Sequence, residues 1–162
     1  MLPKELRKGD PITIWMHEVL EENLAILQAE TDQDGNKLDI LRIPVPPLTI
    51  GRIRYTKSNL DFLKASMPEE AHRVLPHSCS TPVDTILPMS YCNFLVTNGI
   101  VLMPRYFKEG RQEQLNKTDD MARDMLGQVF PDRRIVQIDT EALEYGGGGI
   151  HCSTQQQPFL KA

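Results

Sequence analysis

The amino-terminal part of the chain combines two hydrophobic patterns. Apolar side chains recur at helical spacing over residues 19–27, which predicts a helix over residues 17–30. The β-branched and aromatic run at residues 12–15 predicts a short strand before this helix, and the apolar residues at 38–43 predict a buried strand after it. The turn signal at residues 34–36 separates the helix from the second strand. The pattern therefore predicts strand, helix, strand.

The second half of the chain shows a clearer alternation of elements. Its apolar positions predict two strands, a helix and a further strand, at residues 90–97, 100–104, 119–130 and 134–138. Asn98-Gly99 joins the first two strands, because two-residue hairpin turns need positive φ at both central positions. Thr118 is the candidate N-cap of the helix. This order is typical of an α/β module, and the first segment resembles part of a second copy.

The middle of the chain, residues 48–88, shows no clean periodicity. Gly51 and four prolines interrupt it, and its pattern predicts only a short helix over residues 58–67 with Ser58 as the N-cap. Such a long irregular stretch is typical of a functional loop, an insertion or a disordered segment. The sequence leaves these three interpretations open.

Composition places the chain among ordinary globular proteins. Its 162 residues suffice for one domain, and 40% are hydrophobic and 25% charged. A net charge of −4, spread evenly over both halves, argues against nucleic acid as a partner, because phosphate binding needs a concentrated positive surface. No apolar run is long enough for a membrane helix, and the amino terminus lacks the apolar core of a secretory signal. We therefore predict a cytoplasmic protein with no membrane partner.

The three cysteines, Cys79, Cys92 and Cys152, are odd in number and have no C-x-x-C spacing. This argues against a disulfide framework and against a zinc finger. A metal site that combines His77 and Cys79 with His151 and Cys152 is not favoured either, because no ligand spacing supports it.

Four consecutive glycines, residues 146–149, come shortly before His151 and Cys152. Such a run is entropically costly and is retained where the backbone needs unusual dihedral angles or where a ligand touches the main chain. Cys152, at the start of a polar strand, is a candidate nucleophile if a neighbour lowers its pKa or removes its proton. His151 is not expected to be that base, because adjacent side chains on a strand point to opposite faces. A reactive thiol and a buried strand cysteine beside a glycine hinge both remain open.

Other conspicuous side chains receive structural interpretations. Trp15 and Tyr91 are expected to be packing residues. Cys92 lies on a predicted strand and is interpreted as a core residue rather than a catalytic one. A solvated helix face with favourable charge near the helix amino terminus is the expected role of Asp119, Asp120 and Asp124.

The segment at residues 146–158, GGGGIHCSTQQQP, resembles the carboxy-terminal part of agmatine deiminases and of Porphyromonas-type peptidylarginine deiminases. Its Gly-x-His-Cys-x-Thr-Gln-Gln pattern is the specific part. Residues 89–94 and 98–104 are similar to the same region, and residues 21–47 are similar to the module just before it. The resemblance covers residues 15–47 and 89–158.

The resemblance implies an α/β fold, a partial β/α propeller of the pentein type made of about two strand-strand-helix-strand modules. In that family, the cysteine at the position of Cys152 attacks the guanidinium carbon, ammonia leaves, and water resolves the covalent thiouronium intermediate. The implied reaction converts agmatine into N-carbamoylputrescine without metal or organic cofactor. The substrate partner is a small guanidino compound, which the backbone at Gly147 and Gly148 would approach closely.

The sequence departs from the family in three places. The family's Gly-His-x-Asp motif, which supplies the catalytic histidine, and the carboxylates that bind guanidinium have no counterpart here, and Gly149 stands where members often carry Asn. We therefore expect residues 1–162 to be the carboxy-terminal portion of a deiminase, working as a homo-oligomer or with missing amino-terminal modules. The alternatives are another guanidino deiminase or an amidinotransferase of the superfamily, and an inactive remnant that acts as a binding or oligomerisation module.

Overall fold

The computed structural model describes residues 4–5, 9–69 and 75–157, and within them it contains two three-stranded sheets. The first sheet has the order β1-β2-β3 and comprises Lys4–Glu5, Thr49–Ile53 and Val83–Ile86. The second has the order β4-β5-β6 and comprises Leu95–Thr97, Ile100–Arg105 and Arg134–Asp139. The helices are α1 (Pro11–Ala29), α2 (Lys57–Ser66), α3 (Glu113–Val129) and α4 (Glu141–Glu144), and a 3₁₀ turn spans His151–Ser153.

The second sheet confirms the predicted order of strand, strand, helix, strand. β4 and β5 form an antiparallel hairpin in which Thr97 pairs with Ile100, and Gly99 has a φ of +73°. Helix α3 then carries the chain to β6, which pairs in parallel with β5. Helix α3 begins at Glu113, earlier than predicted, so Thr118 is a buried residue inside the helix and not its N-cap.

The amino-terminal strands predicted at residues 12–15 and 38–43 are both wrong. Helix α1 begins at Pro11 because the side chain of Asp10 accepts a hydrogen bond of 3.0 Å from the backbone N–H of Ile12, and proline suits the first helical position. Residues 38–43 form no strand, and Leu41 is 63% exposed. The predicted turn is confirmed, since Gly35 has a φ of +80°.

Residues 48–88, interpreted as irregular from sequence, contain β2, α2 and β3. The predicted short helix is confirmed as α2, although its N-cap is Thr56, whose hydroxyl accepts a hydrogen bond of 3.2 Å from the backbone N–H of Asn59. β2 pairs antiparallel with β3, and an Arg52–Asp84 ion pair of 2.7 Å joins the two strands. Residues 70–74 of this segment lie outside the described residues.

The main apolar core lies between the second sheet and α3. Its buried members are Tyr91, Met103, Tyr106, Leu115, Ala122 and Leu126. The predicted packing role of Tyr91 is therefore confirmed, whereas Trp15 has no such role within the described residues, where its side chain is 58% exposed. Among the helices of the described residues, none has both the length and the apolar character needed to cross a membrane.

Candidate active site

The turn that begins at Ser90 is held by two buried tyrosines. The backbone N–H of Ser90 donates to the hydroxyl of Tyr106 at 2.8 Å, and the N–H of Asn93 closes the turn on the Ser90 carbonyl at 3.2 Å. Burial raises the pKa of both Tyr91 and Tyr106, so their hydroxyl groups stay protonated and act as donors. With Tyr91 in the core, the turn directs Cys92 to the surface.

Asp119 connects this turn to the end of β5. The carboxylate accepts the hydroxyl of Tyr91 at 2.7 Å and the backbone N–H of Phe107 at 2.8 Å, and it also accepts the N–H of Tyr106 at 3.1 Å. Burial raises the pKa of Asp119 above its ordinary value, because its effect exceeds that of the hydrogen bonds, which lower the pKa. The prediction that Asp119 lies on a solvated face is wrong, because it is 1% exposed. The exposed acids of that face are Asp120 and Asp124.

Glu144 is a second buried carboxyl group, at the end of α4 and shortly before the glycine run. Its Oε1 accepts the hydroxyl of Thr140 at 3.1 Å and lies 3.4 Å from the hydroxyl of Tyr106. Its Oε2 has no hydrogen-bond partner within the described part of the chain. Burial raises the pKa of Glu144. An ion pair of 2.6 Å between Arg111 and Glu141 fixes the start of the same short helix.

The glycine run packs directly against the side chains of Asn93 and Cys152. A Cβ at Gly148 would lie 2.8 Å from the Cβ of Cys152, and a Cβ at Gly149 would lie 2.8 Å from the side-chain carbon of Asn93. Gly147 has a φ of +89°, a conformation that other residues adopt only with strain. The chain's own geometry therefore requires glycine at these positions.

Cys152 lies in the 3₁₀ turn and is exposed, so the interpretation of a buried strand cysteine is wrong. The side-chain amide nitrogen of Asn93 donates to Sγ of Cys152 at 3.3 Å. The amide oxygen of Asn93 accepts the backbone N–H groups of His151 at 2.7 Å and of Cys152 at 3.4 Å. The backbone amide of Gly149, followed by the side chain of Asn93, lowers the pKa of Cys152 below its ordinary value. The local environment thus favours the thiolate.

One open hollow of about 260 Å³ is lined by five residues, Ser90, Cys92, Asn93, His151 and Cys152. The prediction that the side chains of His151 and Cys152 point to opposite faces assumed that both residues lie on a strand. They lie in a 3₁₀ turn, in which successive side chains are only about 120° apart, and both residues line the same hollow. Cys92, interpreted as a core residue, is exposed because it occupies a turn and not a strand.

Two larger hollows, of about 590 and 620 Å³, are lined by other residues and contain neither of these thiols. Over residues 4–5, 9–69 and 75–157, no group of three or more His, Cys, Asp or Glu side chains is placed to hold a metal ion. The hollow at Cys152 is therefore the site at which a nucleophile, its hydrogen-bond donors and open space coincide.

Asn93 is the residue that sequence reasoning did not assign to the site. Its amide contacts Cys152 across a separation of 59 residues, so no local pattern reveals the contact. The available signal was its position in the second segment that resembles the deiminases, next to the hairpin.

Replacing Asn93 with alanine is expected to raise the pKa of Cys152, because the thiolate loses a donor. At neutral pH the thiolate fraction then falls, and alkylation of Cys152 by iodoacetamide slows by about threefold to tenfold. Mass spectrometry of the alkylated chain over a pH series measures this rate, and the half-maximal pH should move upwards. Asn116→Ala, at an Asn on α3 that bonds to Glu113, is the matched control. An unchanged pH profile in Asn93→Ala would show that the contact does not tune the thiol.

The sequence was compared with protein-family models and with known proteins, and the matches agree with one another. The family model described as Porphyromonas-type peptidyl-arginine deiminase matches residues 10–158. A Lactococcus lactis protein provisionally named agmatine deiminase is 33% identical over 147 residues, which is 90% of this chain and 34% of that protein. A similarly named Streptococcus mutans protein is 32% identical over 134 residues, which is 82% of this chain and 30% of that protein.

A solved structure described as agmatine deiminase of Enterococcus faecalis catalysing its reaction is 29% identical, with a TM-score of 0.58, and the match covers 94% of this chain and 35% of that one. The chain thus spans about a third of the length of the curated relatives it matches. Because the family model covers nearly all of the chain, the chain belongs to the Porphyromonas-type peptidyl-arginine deiminase family.

Proposed function

We propose that Cys152 is the nucleophile of a guanidino-group hydrolase that converts agmatine into N-carbamoylputrescine and ammonia. The observation that supports this most is the exposed thiol of Cys152, held 3.3 Å from the Asn93 amide and against Gly148, in a chain of the deiminase family. A thiol nucleophile needs a reducing compartment to stay active, so we place the reaction in the cytoplasm.

The chemistry suits a thiolate. A guanidinium group is planar, cationic and weakly electrophilic, so attack on its carbon needs a strong nucleophile that the site holds in place. Sulfur of Cys152 bonds to that carbon, an amino nitrogen of the adduct gains a proton, the C–N bond to it breaks, and ammonia leaves. Water then adds to the thiouronium carbon and the C–S bond breaks, which returns the thiolate. The positive charge of the bound substrate lowers the pKa of the thiol further.

Gly147 and Gly148 are proposed as the backbone edge of the substrate site. Gly148 lies against the Cβ of Cys152. Within the described residues, Gly147 has no contact within 4 Å of its Cβ position, and it lines the hollow of about 620 Å³ and not the hollow at Cys152. Main chain without side chains lets a flat ligand approach closely, and this is the arrangement a guanidinium plane requires.

The rest of the catalytic machinery is proposed to come from other segments of the working protein. Among the described residues that line the hollow there is no carboxylate, whereas a guanidinium ligand needs carboxylates that accept its N–H groups in pairs. A proton donor for departing ammonia is needed as well. These groups must approach the hollow from its open side.

The test is product formation from agmatine by the 162-residue chain and, in parallel, by any longer natural form that contains it. Ammonia and N-carbamoylputrescine should appear in equal amounts, faster than products from peptidyl-arginine, free arginine or dimethylarginine. A faster reaction with peptidyl-arginine would show that the substrate is peptidyl-arginine and not agmatine. No product from any of these compounds with either form would overturn the hydrolase proposal and favour a binding or oligomerisation role.

We further propose that the two sheets belong to a β/α propeller, in which other modules cover α1. The helix has no buried residue, and Ile14 and Trp15 are 49% and 58% exposed. Apolar surface of this kind is normally covered. Sedimentation of the isolated chain should therefore show concentration-dependent self-association into homo-oligomers. A monodisperse, folded monomer over the whole concentration range would contradict this proposal.

A further inference from the structure

Two segments of the chain meet at the thiol of Cys152. The first is the turn at residues 90–93, and the second runs from Glu144 through the glycine run to the 3₁₀ turn. At the surface, the amide nitrogen of Asn93 donates to Sγ of Cys152 at 3.3 Å, and its amide oxygen accepts the backbone N–H of His151 at 2.7 Å. The contact between Asn93 and the thiol therefore depends on how the turn is held against the second segment.

The same two segments also meet in the interior, at the hydroxyl of Tyr106. This hydroxyl accepts the backbone N–H of Ser90 at 2.8 Å. Its own proton has two acceptors, the carbonyl of Ser90 at 3.2 Å and Oε1 of Glu144 at 3.4 Å. Ser90 begins the turn, and Glu144 ends α4 just before the glycine run. One phenol oxygen thus contacts both segments.

The ring and the backbone of Tyr106 are fixed by contacts that do not involve its hydroxyl. The residue is 2% exposed, and its ring lies 5.3 Å from the ring of Tyr91, measured between centroids. Its backbone N–H donates to Oδ1 of Asp119 at 3.1 Å. Phenylalanine at this position would therefore keep the packing and the backbone contact, and would remove only the hydrogen bonds of the hydroxyl.

We propose that Tyr106 is a positioning residue for Cys152, because its hydroxyl holds the turn where Asn93 donates to the thiol. This role rests on the proposed function, in which Cys152 is the nucleophile. Tyr106 is not among the residues that line the hollow, so it acts through Asn93. Without the hydroxyl, the half-buried N–H of Ser90 loses its acceptor, and the turn moves to reach another one.

Alkylation of Cys152 by iodoacetamide tests this role in Tyr106→Phe. Only the thiolate reacts, and the tryptic peptide of residues 135–161 contains Cys152 as its single cysteine, so mass spectrometry follows this thiol alone. When Asn93 no longer donates fully to the sulfur, the pKa of Cys152 rises. We expect alkylation at neutral pH to slow by about threefold and its half-maximal pH to rise by about 0.5.

A double variant shows whether the effect passes through Asn93. If it does, Tyr106→Phe added to Asn93→Ala should change the alkylation rate by less than about 1.5-fold, because the donor is already absent. Thr118→Val is the matched control, since it removes another buried hydroxyl, which bonds to the Leu115 carbonyl within α3. It should lower the midpoint of urea unfolding and leave the pH profile of Cys152 unchanged. Circular dichroism checks that each variant is folded.

Three results would overturn the role of Tyr106. They are an unchanged pH profile in folded Tyr106→Phe, a further threefold slowing in the double variant, and an equal slowing in Thr118→Val. In the form of the protein that turns agmatine over, Tyr106→Phe should also lower kcat and leave KM within about twofold. Because alkylation needs no agmatine, a failure of turnover in every form would count against the proposed function alone.

Discussion

Replacing Cys152 with alanine is expected to abolish the release of N-carbamoylputrescine from agmatine, with kcat/KM lower by at least about 10⁴-fold. The reaction proceeds through a covalent bond between sulfur and the guanidinium carbon, and alanine cannot form that bond. Water would then have to attack a resonance-stabilised cation directly. Binding of agmatine should change far less than turnover, because the exposed sulfur contributes little of the contact surface.

The measurement is steady-state kinetics in the form of the protein that turns agmatine over, with Cys79→Ala as the matched control. Cys79 is a free cysteine outside the hollow, and its variant should stay within about threefold of the wild type. Circular dichroism of both variants checks the fold. Unimpaired turnover by Cys152→Ala would exclude this thiol as the nucleophile.

Replacing Asp119 with alanine should lower the free energy of unfolding by about 3–5 kcal/mol. The variant leaves the buried hydroxyl of Tyr91 and the backbone N–H groups of Tyr106 and Phe107 without their acceptor. Unpaired buried donors carry their full desolvation penalty. The same change also releases the turn that presents Asn93 to Cys152.

Urea denaturation followed by circular dichroism measures this loss. The matched control is Asp124→Ala on the same helix, at a carboxylate that is 64% exposed and pairs with Arg123. It should cost less than about 1 kcal/mol, as surface ion pairs do. If Asp119→Ala lost no more unfolding free energy than the control variant, the buried network would contribute little to stability.

The elements that sequence predicted correctly depend on local signals. The hairpin at Asn98-Gly99, α3 and β6 follow from turn chemistry and apolar periodicity within short windows. The Asp10-Pro11 pair was also a local signal, for the start of α1, but the β-branched residues after it favoured a strand. Helix capping by Asp10 was stronger than that preference.

The elements that sequence missed depend on distant contacts. β2 becomes a strand because Ile50 pairs with Ile86, and neither segment alternates clearly by itself. Asp119 is charged like its neighbours, and only the tyrosines and backbone amides around it show that it is buried. The glycine run pointed to Cys152, but the position of Asn93 beside it required the folded chain.

Covalent labelling by 2-chloroacetamidine, a planar cation that mimics a guanidinium group, tests the central claim most directly. The protein is labelled in the form that turns agmatine over. Mass spectrometry of the labelled protein, with and without agmatine, identifies which thiol reacts and whether the substrate protects it. We predict rapid labelling confined to Cys152, slowed by agmatine in a concentration-dependent manner. Labelling of Cys79 or Cys92 at the same rate, or labelling of Cys152 that agmatine does not slow, would contradict the assignment of Cys152 as the nucleophile of a guanidino-binding site.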